Sequence, residues 1–180
     1  MGDQGDQGRW AVGVRAILGI PVDRARLRTT LTYAVSDELR LGIEVNPLGE
    51  DVGPLANWRI VDETQGRPAL VLGTSSDRIG TEHGRAIYLT ASKDLEAATD
   101  LPIAPYVGVS YGTHREQLDA IAGLTVRWRE RWSSTHLYDG RNLHHLVTRA
   151  LEGHQTLSLV VVEQDEDYYL GLAWPVGIGE

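Results

Sequence analysis

ARLRTTLTYAVSDELRLGIEVN, residues 25–46, holds two runs of strict alternation joined by a polar turn. In the first run Leu27, Thr29, Leu31, Tyr33 and Val35 share one face, and Arg28, Thr30, Thr32 and Ala34 share the other. After Ser36-Asp37 the pattern resumes, with Leu39, Leu41, Ile43 and Val45 opposing Arg40, Gly42 and Glu44. Successive side chains of a strand point to opposite faces, so each run is a strand with one apolar and one polar side. Two such runs around a short turn predict an antiparallel hairpin.

The same reading extends outward from this hairpin. Residues 10–18 form a strand with Val12, Val14, Ala16 and Leu18 against Gly13, Arg15 and Ile17. Beyond the Pro/Gly-rich NPLGEDVGPLA, strands are expected at 57–62, 67–74, 85–93 and 104–112. LDAIAGLTVRW alternates again, Ala120, Ala122, Leu124, Val126 and Trp128 against Gly123, Thr125 and Arg127. WSSTHLYDG is a strand running into a turn; strands at 156–164 and 168–174 close the chain. Residues 142–152 fit a short helix as well as a strand of a meander. Regular short strands without long repeats predict an all-β fold. The expected form is a single antiparallel up-and-down transmembrane β-barrel of about 12 strands, within roughly 10–14. The barrel domain is placed at 9–180, after a flexible lead, MGDQGDQG, that stands where a removed export signal would have been.

Alternation does not say which face is inside. Three features favour an apolar exterior. Phe is absent while five Trp and seven Tyr are present, and these amphipathic rings suit boundaries between oil and water. Trp10, Trp58, Tyr106, Trp132 and Tyr168 fall at predicted strand starts, and Tyr111, Trp128, Tyr138 and Trp174 at strand ends, as two girdles would require. Tyr88 is a mid-strand exception. The polar faces mix Gly, Thr and Ala with Arg, whereas a soluble exterior would carry more Lys, of which Lys93 is the only one. The apolar faces carry no charge. A soluble β-sandwich or ligand-binding barrel is the alternative.

No cysteine is present, which excludes disulfides and thiolate metal sites, and the net charge of −8 argues against nucleic acid as a partner. Membrane lipids or detergent, with small anionic or sugar solutes, are the expected partners. Arg15, Arg28, Arg40, Arg59, Arg127 and Arg149, with Glu44, are expected to line the lumen, some of the arginines pairing with carboxylates and the surplus attracting anions. Ser134 and His136 lie two apart on one strand face, near Asp139, His144 and His145; a nucleophile and its base on a barrel wall would make an acyl hydrolase. No spacing marks a metal site or a cofactor.

RPALVLGTSSDRIGTEHGRAIYLTASKDL, residues 67–95, resembles a hairpin of the YjbH-like outer-membrane barrels through Pro68, Ala69, Gly73, Gly80, Thr81 and Ala91-Ser92-Lys93. The resemblance covers about one sixth of the chain. It implies a bacterial outer-membrane barrel and an association with exopolysaccharide secretion. The expected setting is the outer membrane of a diderm bacterium, and the role expected of the Arg-lined barrel is a small pore or an envelope or export scaffold.

Overall fold

The computed structural model describes residues 9–178; the lead at 1–8 lies outside the described residues. Twelve strands run in chain order: β1 Trp10–Ile17, β2 Leu27–Ala34, β3 Leu39–Asn46, β4 Asp51–Val61, β5 Ala69–Ser76, β6 Arg85–Ser92, β7 Ile103–Gly112, β8 Gln117–Arg129, β9 Trp132–Tyr138, β10 Leu143–Ala150, β11 Thr156–Gln164 and β12 Asp167–Ile178. Each pairs antiparallel with its sequence neighbours, and β1 also pairs with β12, Trp10 opposite Ile178. The sheet therefore closes into an up-and-down barrel without a free edge. Two one-turn helices, α1 Asp23–Arg26 and α2 Glu96–Thr99, lie in connections.

Neighbouring strands alternate in direction, so all turns fall at two ends. The near end carries the start of β1, the end of β12 and the connections 35–38, 62–68, 93–102, 130–131 and 151–155. The far end carries 18–26, 47–50, 77–84, 113–116, 139–142 and 165–166.

One open alternative is resolved and one boundary changes. Residues 142–152 contain strand β10, its register to β9 and β11 continuous from His144 to Arg149. β4 begins at Asp51, not at 57, because Pro54 is tolerated within it. Pro54 sits opposite Ile43 of β3, whereas the pairing with β5 starts only at Ala56. A proline lacks the N–H that a ladder needs, so it fits where one neighbour has stopped.

The apolar faces point outward. Val14, Leu31, Ile43, Trp58, Leu72, Leu89, Val107, Leu118, Trp132, Val147, Leu159 and Leu172 are all exposed, one from every strand of the barrel. Val107 is 62% and Trp128 64% exposed. Exposed apolar side chains on all twelve strands differ from the singly scattered ones of a typical soluble monomer.

The aromatics sort by end in a way that strand starts and ends do not predict. Starts alternate between the two ends of the barrel, so the expected girdles are regrouped. Trp10, Trp58, Trp128, Trp132 and Trp174 all lie toward the near end, Trp10 against Tyr33 with ring centroids 4.7 Å apart. Tyr111, Tyr138 and Tyr168 lie at the far end. Tyr88 and Tyr106 belong to neither, since both line the interior. Each is admitted by a glycine directly opposite on the next strand, Gly73 for Tyr88 and Gly123 for Tyr106, where a Cβ would collide with the phenol ring.

Candidate functional site: the lumen and its covered mouth

The interior has two unlike sectors. Along β11, β12 and the end of β1 the middle of the inward face is apolar, between buried Ser158 and Gln164 of β11. Ile17, Val160 and Val162 are buried, with Leu146, Tyr169 and Ala173 packed around them. The 18–26 connection folds into the barrel against this sector, bringing Ile20 (0% exposed) and Ala25 onto Val160 and Val162. Burying a side chain of this size stabilises by roughly 1.5–3 kcal/mol, which holds the connection inside the mouth.

Arg24, on α1, fastens that connection across the mouth. Its Nε donates to the Thr81 carbonyl at 2.8 Å and its Nη1 to the Gly84 carbonyl at 2.9 Å. Its Nη2 reaches the Thr81 hydroxyl, and Asp51 lies 3.8 Å from Nη1. Burial pushes the Arg24 pKa down, while Asp51 and Glu44 act in the other direction. The 77–84 loop is thereby drawn inward, and Asp77 and Thr81 are buried. Asp77 accepts from the backbone N–H of Arg78 at 2.8 Å and of His114 at 2.9 Å.

The opposite sector is polar. Arg28 pairs with Glu44, which is 1% exposed and also accepts from Asn46 Nδ2 at 2.9 Å. Asn46 reaches Asp51 at 3.2 Å, and Asp51 takes both Nη atoms of Arg85, at 2.9 and 2.7 Å. Arg15 stands directly opposite Arg28 in the β1–β2 ladder. Arg40 shares the inward face of β3 with Glu44, but its contact is the Thr32 hydroxyl at 3.4 Å. Glu44 thus takes Arg28 rather than Arg40.

Three other predicted lumen residues sit elsewhere. Arg59 and Arg127 have inward parity but are held at the near-end rim. Arg59 pairs with Asp62 at 2.7 Å, and Arg127 with Asp94 and Glu96 at 2.8 Å each. The hydrogen bond from Arg127 lowers the Asp94 pKa, and the Glu96 backbone adds to it. Arg149 is not a lumen residue. It lies opposite exposed Trp132 and Leu157, and its guanidinium is 5.5 Å from the Trp132 ring centre. Both faces of β10 mix polar and apolar residues, so alternation alone left its parity undefined.

A cavity of about 250 Å³ opens between the polar sector and the plug, lined by Arg15, Arg24, Arg28, Tyr88, Tyr106 and His144 among others. His144 is 1% exposed, and its Nε2 lies 2.9 Å from Asp139. Burial would raise the Asp139 carboxyl, but hydrogen bonds from His144 and from the Asn142 and Arg141 N–H groups hold it below the usual carboxylate range.

Ser134 and His136 lie on the exterior of β9, not in the lumen. Ser134 sits under Trp128, whose Nε1 donates to its Oγ at 3.0 Å; Oγ is 3.2 Å from His136 Nε2, and His136 Nδ1 is 2.8 Å from His145 Nδ1. With Trp128 donating to Ser134, the chain can run on from the Ser134 hydroxyl to His136 Nε2 and from His136 Nδ1–H to His145 Nδ1. Among the described residues no group of three or more His, Asp or Glu is arranged to hold a metal ion. No helix is long and apolar enough to cross a membrane, which says nothing about strands.

Sequence reasoning missed Arg24, Ile20 and Asp77. They lie in turns, where no period marks which side chain turns inward; the one available signal was an apolar Ile-Pro-Val run interrupting a polar connection. Compared with known proteins, the chain matches no family model and no curated protein.

Proposed function

We propose that the chain is an outer-membrane-type barrel whose Arg-lined lumen is covered at one mouth, serving as an envelope or export scaffold with a closed conduit. The observation that carries this reading is the encircling apolar exterior, with the five tryptophans toward one end and Tyr111, Tyr138 and Tyr168 at the other. Such girdles belong where a barrel meets two interfaces. The inward-folded 18–26 connection and its Arg24 clasp favour a closed resting state over an open pore. The resemblance of residues 67–95 to YjbH-like barrels points to the same envelope setting.

The test is planar-bilayer conductance of the refolded protein. The unaltered barrel is expected to show little current, and Arg24→Ala to conduct with a mild anion preference that Arg40→Gln reduces. Free conductance of the unaltered barrel, or clear cation selectivity of Arg24→Ala, contradicts the reading.

The Ser134–His136–His145 chain supports a second reading, a lipid-facing acyl hydrolase. Ser134 would be the nucleophile, His136 its base and His145 the group that orients the base. Trp128 must then swing aside, because Ser134 is only 3% exposed. Labelling of Ser134 by a fluorophosphonate, lost in His136→Ala, supports this activity; absence of labelling and of ester turnover in lipid excludes it.

A further inference from the structure

We infer that the cavity beside the plug is a binding site for one small oxyanion, carboxylate or phosphate, organised by Arg15. The inference deepens the Arg-lined lumen of the reading above, but it does not depend on the membrane.

The arginines around the cavity outnumber the carboxylates that contact them. Arg15 and Arg28 face each other directly across the β1–β2 ladder, and like charges so placed repel. One nearby carboxylate, Glu44, answers Arg28. The other acids around the cavity are already engaged. Asp51 holds Arg85 and stands near Arg24, Asp119 is 3.5 Å from Arg78, Asp77 takes two backbone N–H groups, and Asp139 takes His144. Arg15 is left over. Among the described residues its guanidinium makes neither a hydrogen bond nor an ion pair, and its Nε is buried without a partner. The Arg28 Nε is buried without one as well. A guanidinium does not escape burial by losing its proton, so an unanswered one inside a protein calls for an anion.

The cavity supplies the room and the remaining polar groups. Arg15 and Arg28 line it together, with Arg24 at its plug side. Ser110, the Tyr106 phenol and His144, whose Nδ1 lacks a partner, add to the polar wall, and the two carboxylates on it, Asp77 and Asp139, are the ones already engaged by backbone N–H groups and His144. Planar guanidinium forks match the paired oxygens of a carboxylate or phosphate better than a spherical halide. At about 250 Å³ the space is below that of a drug-sized site, so the ligand is a small solute.

The test uses the whole chain, folded in whichever of detergent or plain buffer supports it, so folding in buffer would overturn the membrane reading while leaving this one open to trial. Inorganic phosphate is titrated calorimetrically at constant ionic strength, with acetate and chloride in parallel. One saturable phosphate or acetate site per barrel is expected, with chloride at least tenfold weaker. Arg15→Met, which removes an unpaired charge and leaves the barrel folded, loses the heat signal. Arg15→Lys keeps the charge but loses the fork and weakens binding about tenfold, and Arg149→Gln, on the exterior, binds as the unaltered protein does. The absence of saturable oxyanion binding to the unaltered protein overturns the inference, as does equal affinity for chloride or an unchanged titration of a folded Arg15→Met.

Discussion

The two sectors of the lumen are built on the same strand parity yet behave oppositely. On the β11–β12 side the inward positions include Val160, Val162 and Ala173, and the 18–26 connection lies down upon this apolar patch. On the β1–β4 side they are Arg15, Arg28, Glu44 and Asn46, with no apolar lid, and a cavity remains. Polarity of a barrel interior is thus decided sector by sector. The apolar sector recruits chain to cover it, while the charged sector needs partners and water. Arg24 links the two, since it rides on the apolar plug and donates to the loop beyond the cavity.

Breaking that link is expected to have the largest effect. Arg24→Ala removes a buried cation from several carbonyls and from Asp51, and should cost about 3–5 kcal/mol in equilibrium unfolding by guanidinium in detergent. A loss below about 1 kcal/mol would mean that the clasp is incidental to the fold. Ile20→Ala probes the apolar sector alone, and a cavity there should cost about 2–5 kcal/mol. Its signature is faster hydrogen exchange confined to 18–26 and 77–84, with the β2–β4 ladder unchanged.

Acid should loosen the far mouth. Asp139 has a depressed carboxyl pKa in the folded protein. Its contribution is fully present above the unfolded aspartate value of about 3.9 and is lost as pH falls through the lower folded value. Asp139→Asn should therefore flatten the acid limb of stability against pH, measured by thermal melts between about pH 2 and 6. An unchanged acid limb would show that His144 and the Asn142 N–H do not hold that carboxylate. The smallest effect is on the exterior. Arg149→Gln removes a cation over the Trp132 ring and should cost about 0.5–1 kcal/mol without altering the lumen.

These contrasts also show what was legible in the sequence. Strand number and the residues sharing each face followed from period two in runs such as 27–35 and 118–128, because one face was clean; which face turns inward did not follow from the period. β10 resisted, since Leu143, His145, Val147 and Arg149 oppose His144, Leu146, Thr148 and Ala150 with little difference in polarity. That ambiguity also misplaced Arg149. The β4 start was hidden by Pro54, whose missing N–H is harmless only because β5 does not pair there, a tertiary fact. The lumen charges Arg15, Arg28, Arg40 and Glu44 were readable from parity, but their pairing was not. Register decides that Glu44 meets Arg28, and only the folded turns bring Arg24 to Thr81 and Gly84.

The outward apolar face is the central claim, and tryptophan fluorescence in vesicles tests it most directly. All five tryptophans lie toward the near end, on a barrel with apolar residues on every strand. After refolding into vesicles, lipids brominated near the headgroup should quench this emission more strongly than lipids brominated at the acyl-chain ends, and the spectrum should be blue-shifted. A folded monomer in plain buffer, with no vesicle association and no quenching by either lipid, would contradict the account.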